Sequence, residues 1–182
     1  MMIRFSRWLQ RFSTGRVALI ALLVFIGFSV LALPRQSRAQ GSEAGTPDLS
    51  LFYSAGDLYR WAEAYGEQGR HEYVRARFTF DVAWPLVYTF FLVTAISWLC
   101  AKAFEPASRW RVANLAPVMG MLFDFLENIA TSLVMGRYPR PTPVLDSLAG
   151  VFTLLKWGFL AASFLLLAAA LGVAVWRKLL RK

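Results

Sequence analysis

The chain has 182 residues, of which 57% are hydrophobic and 17% charged, and its net charge is +9. That apolar share exceeds the roughly 45–50% of a soluble domain and excludes intrinsic disorder, a collagen-like chain and a disulfide scaffold. One cysteine (Cys100) and one histidine (His71) exclude an intrachain bridge, CxxC chemistry and histidine-rich metal sites, so neither metal nor cofactor is expected. The charge is not read as a nucleic-acid signature, because bases flanking apolar spans act as topology signals.

In residues 1–16, Phe5, Trp8, Leu9 and Phe12 fall on one helical stripe while Arg4, Arg7 and Arg11 face away. This pattern predicts a helix lying in the membrane interface. Residues 17–33 carry no charge and form a first span at the short limit, since about 20 residues are needed to cross the hydrocarbon. With Ser37-Arg38-Ala39 beyond it, the stretch also has features of a cleaved signal peptide over residues 1–39. A retained helix is the preferred reading, because the apolar run exceeds the usual roughly 7–15 residues and Pro34 and Arg35 intervene.

Residues 34–77 begin as a Gly-, Ser- and Pro-rich loop through Ser50. Ser54 then reads as an N-cap, with Asp57 three residues on. Leu58, Trp61, Ala62 and Tyr65 make an amphipathic stripe opposed by Arg60, Glu63 and Glu67. Gly66 and Gly69 are expected to break that helix, and a second run from about Arg70 leads into the next span. The remaining pattern is a second span over 78–101, a loop over 102–111, a third span over 112–135, a loop over 136–147, a fourth span over 148–176 and a basic tail over 177–182. In hydrocarbon every backbone N–H and C=O needs an internal partner, so the spans must be helices. The expected fold is all-α: an integral membrane four-helix bundle with an outer amphipathic helical cap.

Four spans put both termini on one side. That side carries Arg4, Arg7, Arg11, Arg16, Lys102, Arg109, Arg111, Arg177, Lys178, Arg181 and Lys182 against one acid, Glu105. The other side balances eight bases against eight acids. The positive-inside rule then places both termini in the cytoplasm, as in a bacterial inner membrane, with membrane lipids as the first partners.

Charges within the spans are the informative residues, because each costs about 2.5–3.5 kcal/mol at the bilayer centre even on lenient scales. Asp124, Glu127, Asn128 and Thr131 are spaced i, i+3, i+4, i+7 and share one helix face, which Gly120 and Met135 continue. Lys156 on the fourth span and Glu127 on the third each lie about 12 Å inside the outer end of their span, and Asp124 about 17 Å. Lys156 is therefore expected within ion-pair reach of Glu127 or Asp124. A bundle-locking pair and a ligand or proton site are both open readings; the second gains from there being two acids to one base. On the second span Asp81, Trp84, Pro85 and Tyr88 share a face, and Asp81 can pair with Arg77 four residues earlier. His71 reads as a solvated residue and Cys100 as packing. No HExxH, GxGxxG, Walker loop or GxSxG is present.

The stretch Leu58–Val93 (LYRWAEAYGEQGRHEYVRARFTFDVAWPLVYTFFLV) resembles the matching part of the EXPERA group, which includes the emopamil-binding sterol isomerase. GMLFDFLEN, Gly120–Asn128, is similar to that family's third span, and Lys156-Trp157 falls where the family has pocket-facing polar and Trp residues. The resemblance implies a membrane bundle enclosing a sterol-sized pocket, with Asp81 at the second-span acid. It departs from the family in having no histidine on that span and in the added charge of Lys156.

The leading expectation is a protein that binds a lipid-like molecule: a sterol, an isoprenoid or a quinone-like compound. Asp81, Asp124, Glu127, Asn128 and Lys156 would supply its polar contacts, and Trp84, Tyr88 and Trp157 its apolar walls. Whether it also isomerises that ligand, by proton transfer through a buried carboxylate, stays open. The alternatives are an accessory or assembly subunit with a membrane protein partner and a structural ion pair, and a proton or ion conductor.

Overall fold

The computed structural model describes residues 1–32, 47, 50–106 and 108–180. The Ser37-Arg38-Ala39 site, most of the loop around it, and Arg181 and Lys182 lie outside the described residues. The elements are α1 (Met2–Phe12), α2 (Gly15–Leu31), α3 (Ala55–Ala64), α4 (Gly66–Arg77), α5 (Phe80–Ala103), a 3₁₀ helix (Arg109–Leu115), α6 (Ala116–Arg137) and α7 (Leu145–Leu180). Every regular element among the described residues is helical, as expected.

Three helical stretches are long and apolar enough to cross a membrane: Gly66–Ala103, Arg109–Arg137 and Leu145–Leu180. Their length and composition fit a membrane protein. The 17-residue α2 is too short to qualify alone and forms a candidate span only with α1, from which it is bent by 89°. Three spans therefore stand by their own length, and the fourth rests on this bent pair.

Some boundaries differ from the sequence reading. Gly66, at φ +62, ends α3, but Gly69 does not break the chain and lies inside α4. Residues 112–115 are 3₁₀ rather than α-helical, and they stand at the start of the third candidate span, Arg109–Arg137. Ser108 caps that turn by accepting from the Trp110 amide, and Pro117, which has no N–H to give, falls in the first turn of α6 where none is needed. α7 extends beyond 148–176 at both ends, with Asp146 in its first turn and Arg177 and Lys178 in its last, signs that suit the helix dipole.

Contacts divide the chain into two units: Met1–Gly27, Val87–Gly120 and Gly158–Lys182 in one, Phe28–Leu86 and Met121–Trp157 in the other. In the first, a buried amide organises the interior. Asn114 accepts from Ser6 Oγ at 2.7 Å and donates to Ser97 Oγ at 2.9 Å, and Gln10 donates to the Arg111 carbonyl at 2.7 Å. These bonds turn the polar edge of α1 (Ser6, Gln10) toward the 3₁₀ helix and leave Phe5, Trp8 and Phe12 exposed. Phe25 stacks on Phe91 at 4.9 Å, and Gly15 lets α2 approach the Trp98 indole, which a Cβ would meet at 3.0 Å.

In the second unit the amphipathic stripe of α3 packs against the spans. Leu58 and Ala62 are buried with Tyr53 and Tyr73 against Ala130, Val134 and Met135 of α6 and Ala149 of α7. Ser54 caps α3 in a reciprocal box with Asp57. Tyr59 ties the far side by donating to Asp146 at 3.1 Å and accepting from the Thr142 amide at 2.7 Å.

α7 is an inside-out helix. Its buried positions are small or polar (Ala149, Thr153, Lys156, Ser163, Ala170), whereas Leu154, Leu165 and Leu171 are exposed. Lipid solvates leucine as well as a protein core does, so helices in a membrane associate through small and hydrogen-bonding residues instead.

Candidate functional site

The candidate site lies wholly in the second unit and is built on the face of α6 that carries Asp124, Glu127, Asn128 and Thr131. All four are buried, Glu127 to 1% exposure and Asp124 to 8%. Helical periodicity alone aligns them. Lys156, 7% exposed on α7, places its ammonium 2.5 Å from Glu127 Oε2 and 3.8 Å from Asp124 Oδ1. The expected pairing is present, and one cation serves both acids.

The other Glu127 oxygen is taken as well. Tyr53, in the turn before α3, donates its hydroxyl to Oε1 at 3.2 Å. Burial, then the neighbouring Glu127 carboxylate, pushes the Tyr53 phenol above the ordinary tyrosine range, so it remains a donor. Its edge meets Trp61 at 5.4 Å. Tyr53 can occupy this place because residue 150 is glycine: a Cβ there would come 2.0 Å from the Tyr53 carbonyl oxygen. Trp157 clamps the same turn by donating its indole N–H to the Ser50 carbonyl at 3.2 Å, and the Lys156 ammonium lies 5.5 Å from its ring. Trp157 is thus a strut for this turn.

Next to this triad is a second cluster. Arg77, buried at the end of α4, pairs with Asp81 at 3.1 Å, stacks over Tyr73 at 4.3 Å and donates to Asn128 Oδ1 at 3.4 Å. The amide end of Asn128 donates to the backbone carbonyl of Asp81 at 3.3 Å. That carbonyl is the one Pro85 leaves free, because proline has no N–H to return to the residue four positions earlier. Asn128 thus repairs the helix defect made by Pro85. Thr131 turns back to its own helix, donating to the Glu127 carbonyl at 2.9 Å.

Trp84 belongs to this unit and stacks on Phe28 at 5.7 Å. Tyr88 is buried in the first unit. Tyr53, and Arg77 as a buried bridge to Asn128, were missed as members of the site. The i, i+4 spacing of Arg77 and Asp81 signalled their pair, but nothing local marks Tyr53 as a partner of a residue 74 positions away. His71 is exposed and Cys100 buried, as read from the sequence. Among the described residues no group of His, Cys, Asp and Glu could hold a metal ion.

The two clusters contain two cations and three carboxylates within a largely buried region. This arrangement can lock helices in register, and its excess carboxylate can hold a proton or meet a polar ligand group. Comparison with known proteins found no matching protein family, no similar characterised protein and no similar solved structure.

Proposed function

We propose that this chain is a four-span inner-membrane protein, with both termini cytoplasmic, that acts as an assembly or accessory subunit of a membrane complex. The observation that carries this reading is closure of the polar stripe by the chain itself. Lys156 meets Glu127 and Asp124, Tyr53 meets Glu127, and Asn128 is shared between Arg77 and the Asp81 carbonyl. Burying ions costs several kcal/mol each, so a closed network of this kind favours one helix arrangement more than it adds stability. The capped face formed by residues 50–77 then lies on the outer side. α7, with 11% of its most apolar window buried, offers its remaining surface to lipid and to partner helices.

The third carboxylate supports a second reading: a site for a lipid-like molecule with one polar end, in line with the resemblance to the emopamil-binding group. One experiment separates the two. Melting of the purified protein is measured against sterols, isoprenoids and quinones, for wild type and Glu127→Gln. The assembly reading expects no compound to raise wild-type Tm. A compound that stabilises wild type but not Glu127→Gln overturns it in favour of ligand binding.

A further inference from the structure

A separate feature of the first unit concerns the cations at the helix ends. A cavity of about 450 Å³ opens where the last turn of α5, the 3₁₀ helix and the last turn of α7 meet. Lys102, Arg111, Arg177 and Lys178 line it, with Glu105 as the sole acid among its lining residues and Phe104 as an apolar wall. Cations at helix C-termini offset the helix dipole, which accounts for Lys102, Arg177 and Lys178 individually. It does not account for Arg111, which lies in the 3₁₀ helix, nor for convergence of all four on one concavity.

Arg111 is held in place from α1. Its carbonyl accepts from Gln10 at 2.7 Å and from Ser6 at 3.3 Å. A guanidinium lining a cavity together with three further cations is suited to an anion with several oxygens. The surroundings carry the aromatic side chains that favour a membrane interface. Trp110 is exposed and stacks on Phe104 at 6.1 Å, and the exposed aromatic edge of α1 belongs to the same unit. Basic pockets between spans on the cytoplasmic side suit phospholipid headgroups.

We propose that this cavity binds the phosphate of an anionic phospholipid, with Arg111 as the preset contact and Lys102, Arg177 and Lys178 closing around it. The proposal is independent of the role of the Lys156 cluster. The test uses the full chain in neutral detergent, titrated with phosphatidylglycerol or phosphatidylcholine of the same acyl length and with soluble glycerol phosphate, bound lipid being counted by native mass spectrometry. Wild type should prefer phosphatidylglycerol, and glycerol phosphate should not displace it. Arg177→Gln with Lys178→Gln should weaken that preference about tenfold or more. Arg4→Gln with Arg7→Gln, an equal loss of charge on the exposed side of α1, should leave it intact, and Glu105→Gln should strengthen it. Equal binding of the two lipids, or equal loss in the cavity and α1 variants, overturns the proposal. Displacement by glycerol phosphate also overturns it, by assigning the cavity to soluble phosphates.

Discussion

Loss of Lys156 leaves Glu127 and Asp124 without the cation they share. Lys156→Met should destabilise the protein by about 3–5 kcal/mol, the range for breaking a buried pair. The triple variant Lys156→Met, Glu127→Gln, Asp124→Asn removes the uncompensated charge and should be more stable than the single one. Denaturant unfolding in detergent compares them, and a triple variant no better than the single would show that packing around Lys156, not charge, dominates. Gly150 is the other sensitive position. Gly150→Ala drives a methyl into the Tyr53 carbonyl and should cost about 1–3 kcal/mol or more. Gly158→Ala, on the same helix with open space at the Cβ, should cost nothing measurable. Lys156 with its acids was legible in the sequence because spacing and depth along two apolar spans set its reach. Tyr53 was not, because its approach depends on a glycine about a hundred positions away.

At the scale of elements, α3 depends on its cap. Ser54→Ala should cost about 1 kcal/mol. Asp57 is held below the ordinary carboxylate range first by the Ser54 side chain and then by the Ser54 backbone. A lowered folded value means that this stabilisation is present above the unfolded value, near pH 4, and is lost as pH falls through the folded one. The protection factors of the α3 amides, taken against the intrinsic exchange rate at each pH, should therefore fall on acidification below about pH 4, and Asp57→Asn should remove that dependence; unchanged acid sensitivity in Asp57→Asn would assign it elsewhere. The cap and the Leu58–Tyr65 stripe were readable as a local pattern. The 3₁₀ geometry of Arg109–Leu115 was not, because apolar content alone does not separate a 3₁₀ turn from the α-helix it leads into. Asn114 inside that run was a polar signal, but its partners Ser6 and Ser97 come from other elements.

For the whole molecule, orientation is the property that charge governs most directly. On the proposed four-span topology eleven bases to one acid flank one side, so reporters fused after Lys182 should be active in the cytoplasm and reporters near Gly45 outside. A carboxyl-terminal reporter active outside would invert the topology. The bent α1–α2 pair makes a further demand: with α2 upright, a bend of 89° lays α1 along the membrane plane. Tryptophan fluorescence of a variant retaining only Trp8 should then report quenching by interface-depth probes rather than by bilayer-centre probes.

Apolar stretches long enough to span a membrane, helical structure, the shared face of Asp124, Glu127 and Asn128, and the availability of Lys156 were determined by sequence alone. Hydropathy and helical period act within one element of about twenty residues and need no knowledge of neighbours. Tertiary structure decided which contacts those residues make. It placed Lys156 at 2.5 Å from Glu127 and 3.8 Å from Asp124, gave the second Glu127 oxygen to Tyr53, and sent Asn128 to the carbonyl that Pro85 leaves free. Such choices depend on the axial register and rotation of helices far apart in the chain. Those are set by the packing of small residues such as Gly150 and Ala149, and a displacement of one residue along an α-helix, about 1.5 Å, is enough to exchange one hydrogen-bond partner for another.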